Sequence, residues 1–200
     1  MILFGFPHCG IWTESYMAWS QRLPSLFRFQ CIDLRGEGLS MREVSSAMWD
    51  QAVIAACEYV KRHMQPGETF AFIGHCWGSL LAFEVSHRLK ADGMEGPAHL
   101  FLSGCSAPHL LRPRAQFVKN CHPVMEYRLP SCREPLHARF SVFAGRQDEV
   151  ALADQLAEWS RYTTRICDVH VYDGEHDYWR QDSIRWFQLV QTIVEREYMC

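Results

Sequence analysis

Apolar positions recur along this chain with two different periods, and the order of those periods predicts an architecture. Met1–Phe6 is a short apolar run that breaks at Pro7, as a first strand entering a turn would. Arg28–Leu34 alternates and ends in the turn Arg35-Gly36-Glu37-Gly38. From Met41 to His63 the apolar residues Val44, Met48, Val53 and Val60 fall at roughly helical spacing, and Gln65-Pro66-Gly67 closes the segment. Thr69–Ile73 reads as a strand of the buried kind. It runs into Gly74-His75-Cys76-Trp77-Gly78 and then a predicted helix from Ser79 to about Ala91. Leu100–Leu102 is a further apolar run. Strand signal returns at Arg139–Ala144, helix signal near Val150–Tyr162, strand near Cys167–Tyr172 and helix near Ser183–Glu197. Strands alternating with helices predict a mostly parallel sheet with helices on both faces. No repeat, linker or composition break divides residues 1–200, so one α/β domain is expected.

Composition narrows the class. The chain is 48% hydrophobic and 22% charged, as a globular protein of this size should be. No apolar run approaches the ~20 residues a membrane span needs. The apolar start lacks a basic leader region, so a signal peptide is not expected and a cytoplasmic setting is. Nine cysteines without a CxxC pair suggest neither a disulfide framework nor a zinc site. No metal or bound cofactor is expected, because no His, Asp and Cys spacing suggests a ligand set. A net charge of −3 gives nucleic-acid binding no support. One stretch departs from that balance. Between His109 and Arg146 seven cations (Arg112, Arg114, Lys119, Arg128, Arg133, Arg139, Arg146) face only Glu126 and Glu134. Such a run is either a solvated face or a dock for an acidic partner.

In parallel α/β sheets the chemistry sits in loops beyond the carboxyl ends of the strands. The loop after Ile73 has the form of a nucleophile elbow, Gly74-x-Cys76-x-Gly78, with a cysteine at its centre. So sharp a strand-to-helix turn strains the central residue and leaves no room for side chains at the flanking positions. It also sets the thiol at a helix N-terminus, where the dipole favours a thiolate. The alternative is a tight turn with a packed cysteine. A cysteine nucleophile needs a base and the base an orienting acid. His176, in Asp173-Gly174-Glu175-His176 after the strand ending at Tyr172, is the expected base. His75 adjoins the nucleophile but should point away from it on such a turn. His8, His109 and His122 fall in loops, and His63, His87 and His137 read as surface or structural. Asp148, in the loop after Arg139–Phe143, is the expected acid, with Glu149 its rival. The order Cys76, Asp148, His176 is that of α/β-hydrolases. An oxyanion hole in this fold takes the N–H after the nucleophile, here Trp77, and one from an earlier loop, here Phe6-Pro7-His8-Cys9-Gly10.

These blocks, with Phe72–Glu84, His99–Gly104 and Gly174-Glu175-His176, resemble the type II thioesterases that accompany polyketide synthases and nonribosomal peptide synthetases. The likeness runs over nearly the whole chain. It implies an α/β-hydrolase fold and acyl or aminoacyl substrates held as phosphopantetheine thioesters on a partner carrier protein. It implies Cys76 as nucleophile, Asp148 and His176 as its partners, and oxyanion N–H groups from Cys9 and Trp77. Three departures stand out. Cys76 replaces the serine usual in that family. Residues of about 108–138, where the family inserts a helical lid, are few and interrupted by prolines, so a truncated lid is expected. The turn Arg35-Gly36-Glu37-Gly38 differs from the family's Pro-Gly-Arg. The basic run beside the lid remnant makes Arg112, Arg114, Arg128 and Arg133 candidates for docking the acidic carrier. Hydrolytic release of the acyl group ranks first as the function. A cysteine exchanges thioesters almost isoenergetically, so transfer to another thiol or amine ranks second, and a non-catalytic scaffold that binds a synthase third.

Overall fold

Strand periodicity decides the layering. The computed structural model describes residues 1–6, 20, 28–34, 39, 46–111, 127, 133–180 and 183–198. Six strands form its sheet: β1 Ile2–Phe6, β2 Arg28–Cys31, β3 Phe70–His75, β4 His99–Ser103, β5 Arg139–Gly145 and β6 Cys167–Tyr172. They lie in the order β2-β1-β3-β4-β5-β6, and every pairing is parallel. One cross-sheet row runs Cys31, Gly5, Ile73, Phe101, Ser141, Asp168.

Because successive side chains point to opposite faces, each buried strand feeds two cores. Phe4, Phe6, Phe72, Leu100, Leu102, Phe140 and Val142 fill one face. Leu3, Ala71, Ile73, Phe101 and Phe143 fill the other. Helices α1 (Ser46–His63) and α2 (Trp77–Ala91) cover the first face, together with a 3₁₀ helix over Ala153–Tyr162. Helix α3 (Ser183–Tyr198) covers the second with Trp186, Phe187, Val190, Ile193 and Val194. Each fully buried phenylalanine of these layers contributes about 2–3 kcal/mol. A parallel sheet with helices on both faces is what the strand and helix periods predicted, and it fits the α/β-hydrolase fold that the resemblance implies.

Two elements differ from the sequence expectation. Helix α2 begins at Trp77, not Ser79, since its first turn grows directly out of the elbow. The segment after residue 150 is a 3₁₀ helix rather than an α-helix. Its buried residues Leu156, Trp159 and Tyr162 recur every third position, the period of a 3₁₀ helix. Of the expected lid remnant, only its two ends and Tyr127 are among the described residues. No described helix is long and apolar enough to cross a membrane.

The chain builds β2 on one side of β1 and then β3 on the other. The strand order therefore reverses between β1 and β3. A crevice opens at the carboxyl ends of the strands at such a reversal, and the loop after β3 lies beside it.

Candidate active site

Cys76 sits where β3 becomes α2, with φ 51° and ψ −117°. It is the one non-glycine residue with positive φ among those described. Such a conformation costs about 1–3 kcal/mol and persists only where its surroundings enforce it. Here they do. Gly74 runs so close to the start of α2 that a Cβ there would lie 2.6 Å from the Ser79 amide nitrogen. The Cys76 N–H donates to the Ser103 carbonyl at 2.7 Å. The buried Ser79 hydroxyl accepts the Ser103 N–H at 2.9 Å, and lies 2.8 and 2.9 Å from the carbonyls of Gly74 and Ser103. The elbow is thus pinned to the end of β4. Cys76 caps the helix, and no acidic residue in the first turn of α2 offsets its positive end. The Trp77 N–H is the first of the helix and belongs to the turn whose amides have no intrahelical acceptor.

Asp148 and His176 come from the loops after β5 and β6, which are laced together. The Gln147 N–H donates to the Gly174 carbonyl at 2.9 Å, and the Gly174 N–H donates to the Gln147 side chain at 2.7 Å. The His176 Nδ1 lies 3.0 and 3.2 Å from the two Asp148 oxygens. Asp148 Oδ1 also accepts the backbone N–H groups of Val150 and Ala151 at 2.8 and 3.0 Å. The carboxylate is therefore fixed before it meets the imidazole, and both residues are buried. With Nδ1–H committed to the carboxylate, Nε2 is the nitrogen able to take and return a proton. Glu149, the rival acid, is exposed.

The other described histidines except His75 lie in surroundings of their own. His99 lies between Tyr198 and Ser141, and burial pushes its pKa down to about 3. His87 is pushed down to about 4 by burial, with Arg133 adding to the effect. His109 meets Tyr162 and Glu158, and His137 meets Thr164. His63 stacks on Tyr59 and His170 on Phe143. His8 and His122 lie outside the described residues, as do Cys9, Arg112, Arg114 and Arg128.

Arg133 departs from the docking expectation. Its guanidinium pairs with Glu84 of α2, whose other oxygen accepts the Tyr127 hydroxyl at 2.5 Å. Burial raises the Glu84 carboxyl pKa, and Tyr127 and Arg133 oppose that rise. The Arg133 charge is thus spent inside the protein, tying its segment to α2. Tyr127 packs on Trp49, and Trp49 on Trp77 beside the elbow, with ring centroids 6.2 and 5.2 Å apart.

Ser103, Tyr178 and Glu84 belong to no motif of the sequence that points to a role. Only Glu84 left a signal, as a lone carboxylate in the apolar stretch Leu80–Val85. Among the described residues no cluster of His, Cys, Asp and Glu is arranged to hold a metal ion.

Residues 1–117, which contain the elbow, match the thioesterase domain family. The chain is 26% identical over 211 residues to the gramicidin S biosynthesis protein GrsT of Aneurinibacillus migulanus, covering 87% of this chain and 81% of that protein. Its fold is similar to that of ClbQ from the colibactin NRPS/PKS pathway. The TM-score is 0.81 at 19% identity, over 98% of this chain and 97% of that one. It is likewise similar to the RedJ thioesterase of the prodiginine pathway in Streptomyces coelicolor. There the TM-score is 0.79 at 23% identity, over 96% and 84% of the two chains. Six parallel strands, an elbow after the third and a family match that spans that elbow lead to one assignment: the chain belongs to the thioesterase domain family, on an α/β-hydrolase fold.

Proposed function

We propose that this protein is a type II thioesterase that removes acyl groups from carrier proteins in natural-product biosynthesis, with Cys76 as its nucleophile. The observation that carries the reading is a fixed Asp148–His176 pair on the same sheet edge as a cysteine held at φ 51° on a helix N-terminus. The biosynthetic setting is supported by the relative from gramicidin S biosynthesis. The family match supplies the thioester bond as the target.

In this mechanism His176 Nε2 takes the Cys76 proton and the thiolate adds to the thioester carbonyl. The oxyanion is held by the Trp77 N–H and by an N–H from the Cys9 loop, at about 3 kcal/mol per donor. Asp148 keeps the histidine in its Nδ1–H tautomer and stabilises the imidazolium. Collapse breaks the bond to the phosphopantetheine sulfur, which leaves with the proton from His176. Water, deprotonated by His176, then attacks acyl-Cys76 and releases the carboxylic acid. The group carried by the phosphopantetheine arm is substrate, and no bound cofactor takes part. Of the candidate docking cations, Arg112, Arg114 and Arg128 are those proposed to meet the acidic carrier.

Intact-protein mass spectrometry of the enzyme mixed with an acyl-loaded carrier, with and without a second empty carrier, tests the reading. Free acid with a transient adduct on Cys76 is the expected result. A stable adduct that discharges only onto the second carrier would make the protein an acyltransferase, for which the cysteine is suited. No adduct and no loss of acyl-carrier across a panel of acyl groups would favour the scaffold.

A further inference from the structure

We propose that His75 is a positioning residue for His176, locked in place by a buried hydrogen-bonded chain running from Tyr178 through Ser103. The proposal rests on the reading of His176 as the base of the site.

The three residues of the chain are buried, His75 and Ser103 completely. The His75 Nδ1 lies 2.8 Å from the Ser103 hydroxyl, and that hydroxyl lies 2.6 Å from the Tyr178 hydroxyl. Tyr178 is itself stacked on Tyr172 at the end of β6. At the other end of the chain, the His75 ring rests against His176, with centroids 4.6 Å apart and planes at 50°. Gly104, at φ 56°, closes the contact from below. A Cβ there would strike the His75 ring and lie 3.0 Å from His176 Cε1, so the two imidazoles meet over a position only glycine can fill. The bond to Asp148 fixes one atom of the His176 ring, and an imidazole can still pivot about one atom. Contact with His75 supplies the second point that sets its angle.

Among the groups facing His75 are Ser103 on β4 and His176, Asp177, Tyr178 and Trp179 after β6. The chain can run in either direction, and in one of them the Tyr178 hydroxyl donates to Ser103 and Ser103 donates to Nδ1 of a neutral His75. The remaining His75 proton is then on Nε2, 3.9 Å from an Asp177 oxygen. A neutral ring at that place leaves His176 free to become an imidazolium without a like charge against it. The chain thus fixes the position of His75 and, through the ring contact, that of His176.

The test is the pH dependence of Cys76 alkylation by iodoacetamide, together with turnover of a short acyl-pantetheine thioester. The variants are Ser103→Ala, Tyr178→Phe, His75→Phe, His75→Asn and the double variant H75F/Y178F, with His176→Ala for reference. A displaced base slows reaction steeply. We therefore expect Ser103→Ala and Tyr178→Phe to lower kcat by about ten- to a hundredfold at unchanged KM. The alkylation midpoint should move up toward the ~8.5 of an ordinary cysteine. Tyr178→Phe should add nothing in the H75F background, since the two act through one chain. His75→Asn, whose Oδ1 can stand where Nδ1 stood, should recover activity relative to H75F. Wild-type profiles in Ser103→Ala and Tyr178→Phe, beside a shifted profile in His176→Ala, would overturn this proposal alone. An unshifted profile in His176→Ala would overturn the base assignment, and the positioning role with it.

Discussion

Cys76 is the first residue after β3 and Cys105 the second after its parallel neighbour β4, and they are buried alike, at 6% and 7% exposure. Burial therefore does not separate them. What separates them is the element that comes next in the chain. Cys76 is followed at once by α2, which imposes the left-handed backbone and presents a helix N-terminus to the thiol. Cys105 is followed by an irregular segment that reaches only a single turn at Pro108–Leu110. Its sulfur donates to the Ser106 carbonyl at 3.5 Å, and its own carbonyl accepts the Trp159 indole N–H at 2.8 Å. Burial, with the Asp148 charge adding to it, pushes the Cys105 thiol up to about 12. Burial, and after it the carboxylate proposed to organise a base for Cys76, thus keeps Cys105 a thiol. On the proposed mechanism, the turn that carries Cys76, and not the depth at which it lies, sets it apart from Cys105.

The comparison is broken most severely by removing the sulfur. Cys76→Ala should lower thioester turnover by about four orders of magnitude or more, as loss of a nucleophile does in comparable constellations. Cys105→Ala should change it by about twofold at most, read as release of free thiol. Asp148→Asn comes next. It keeps the shape of the carboxyl but no longer holds the His176 tautomer, and turnover should fall by about a hundredfold or more.

The smallest effect is on stability. The Cys105 pKa is raised in the folded protein from an ordinary 9.0 to about 12. Its contribution is therefore fully present below pH 9 and is lost as the pH climbs from 9 toward 12. The slope in that window is about 1.4 kcal/mol per pH unit for one such group. Cys105→Ala should flatten the alkaline side of the urea-unfolding profile by that amount. An unchanged alkaline slope would remove the electrostatic part of the contrast.

Sheet and elbow were legible in the sequence because both depend on local pattern. Apolar strands buried on both faces, such as Phe70–Ile73, announce themselves as continuous runs, and Gly74 and Gly78 bracket the turn that needs them. The 3₁₀ helix was not distinguished, since periods of three and 3.6 barely diverge over ten residues. The chain from Tyr178 to Ser103 was invisible for a different reason. A serine closing an apolar strand and a tyrosine in a turn, 75 positions apart, carry no local sign that they meet. The same holds for Arg133, one cation in a basic run, until Glu84 across 49 positions is seen to claim it.

The central claim is that the thiol after β3 reacts and the thiol after β4 does not. Peptide mapping of the enzyme quenched during turnover of an acyl-pantetheine thioester tests this most directly. The account predicts the acyl group on Cys76, with Cys105 unmodified, and no adduct at either position in Cys76→Ala. An acyl group on Cys105, or turnover that persists in Cys76→Ala, would contradict it.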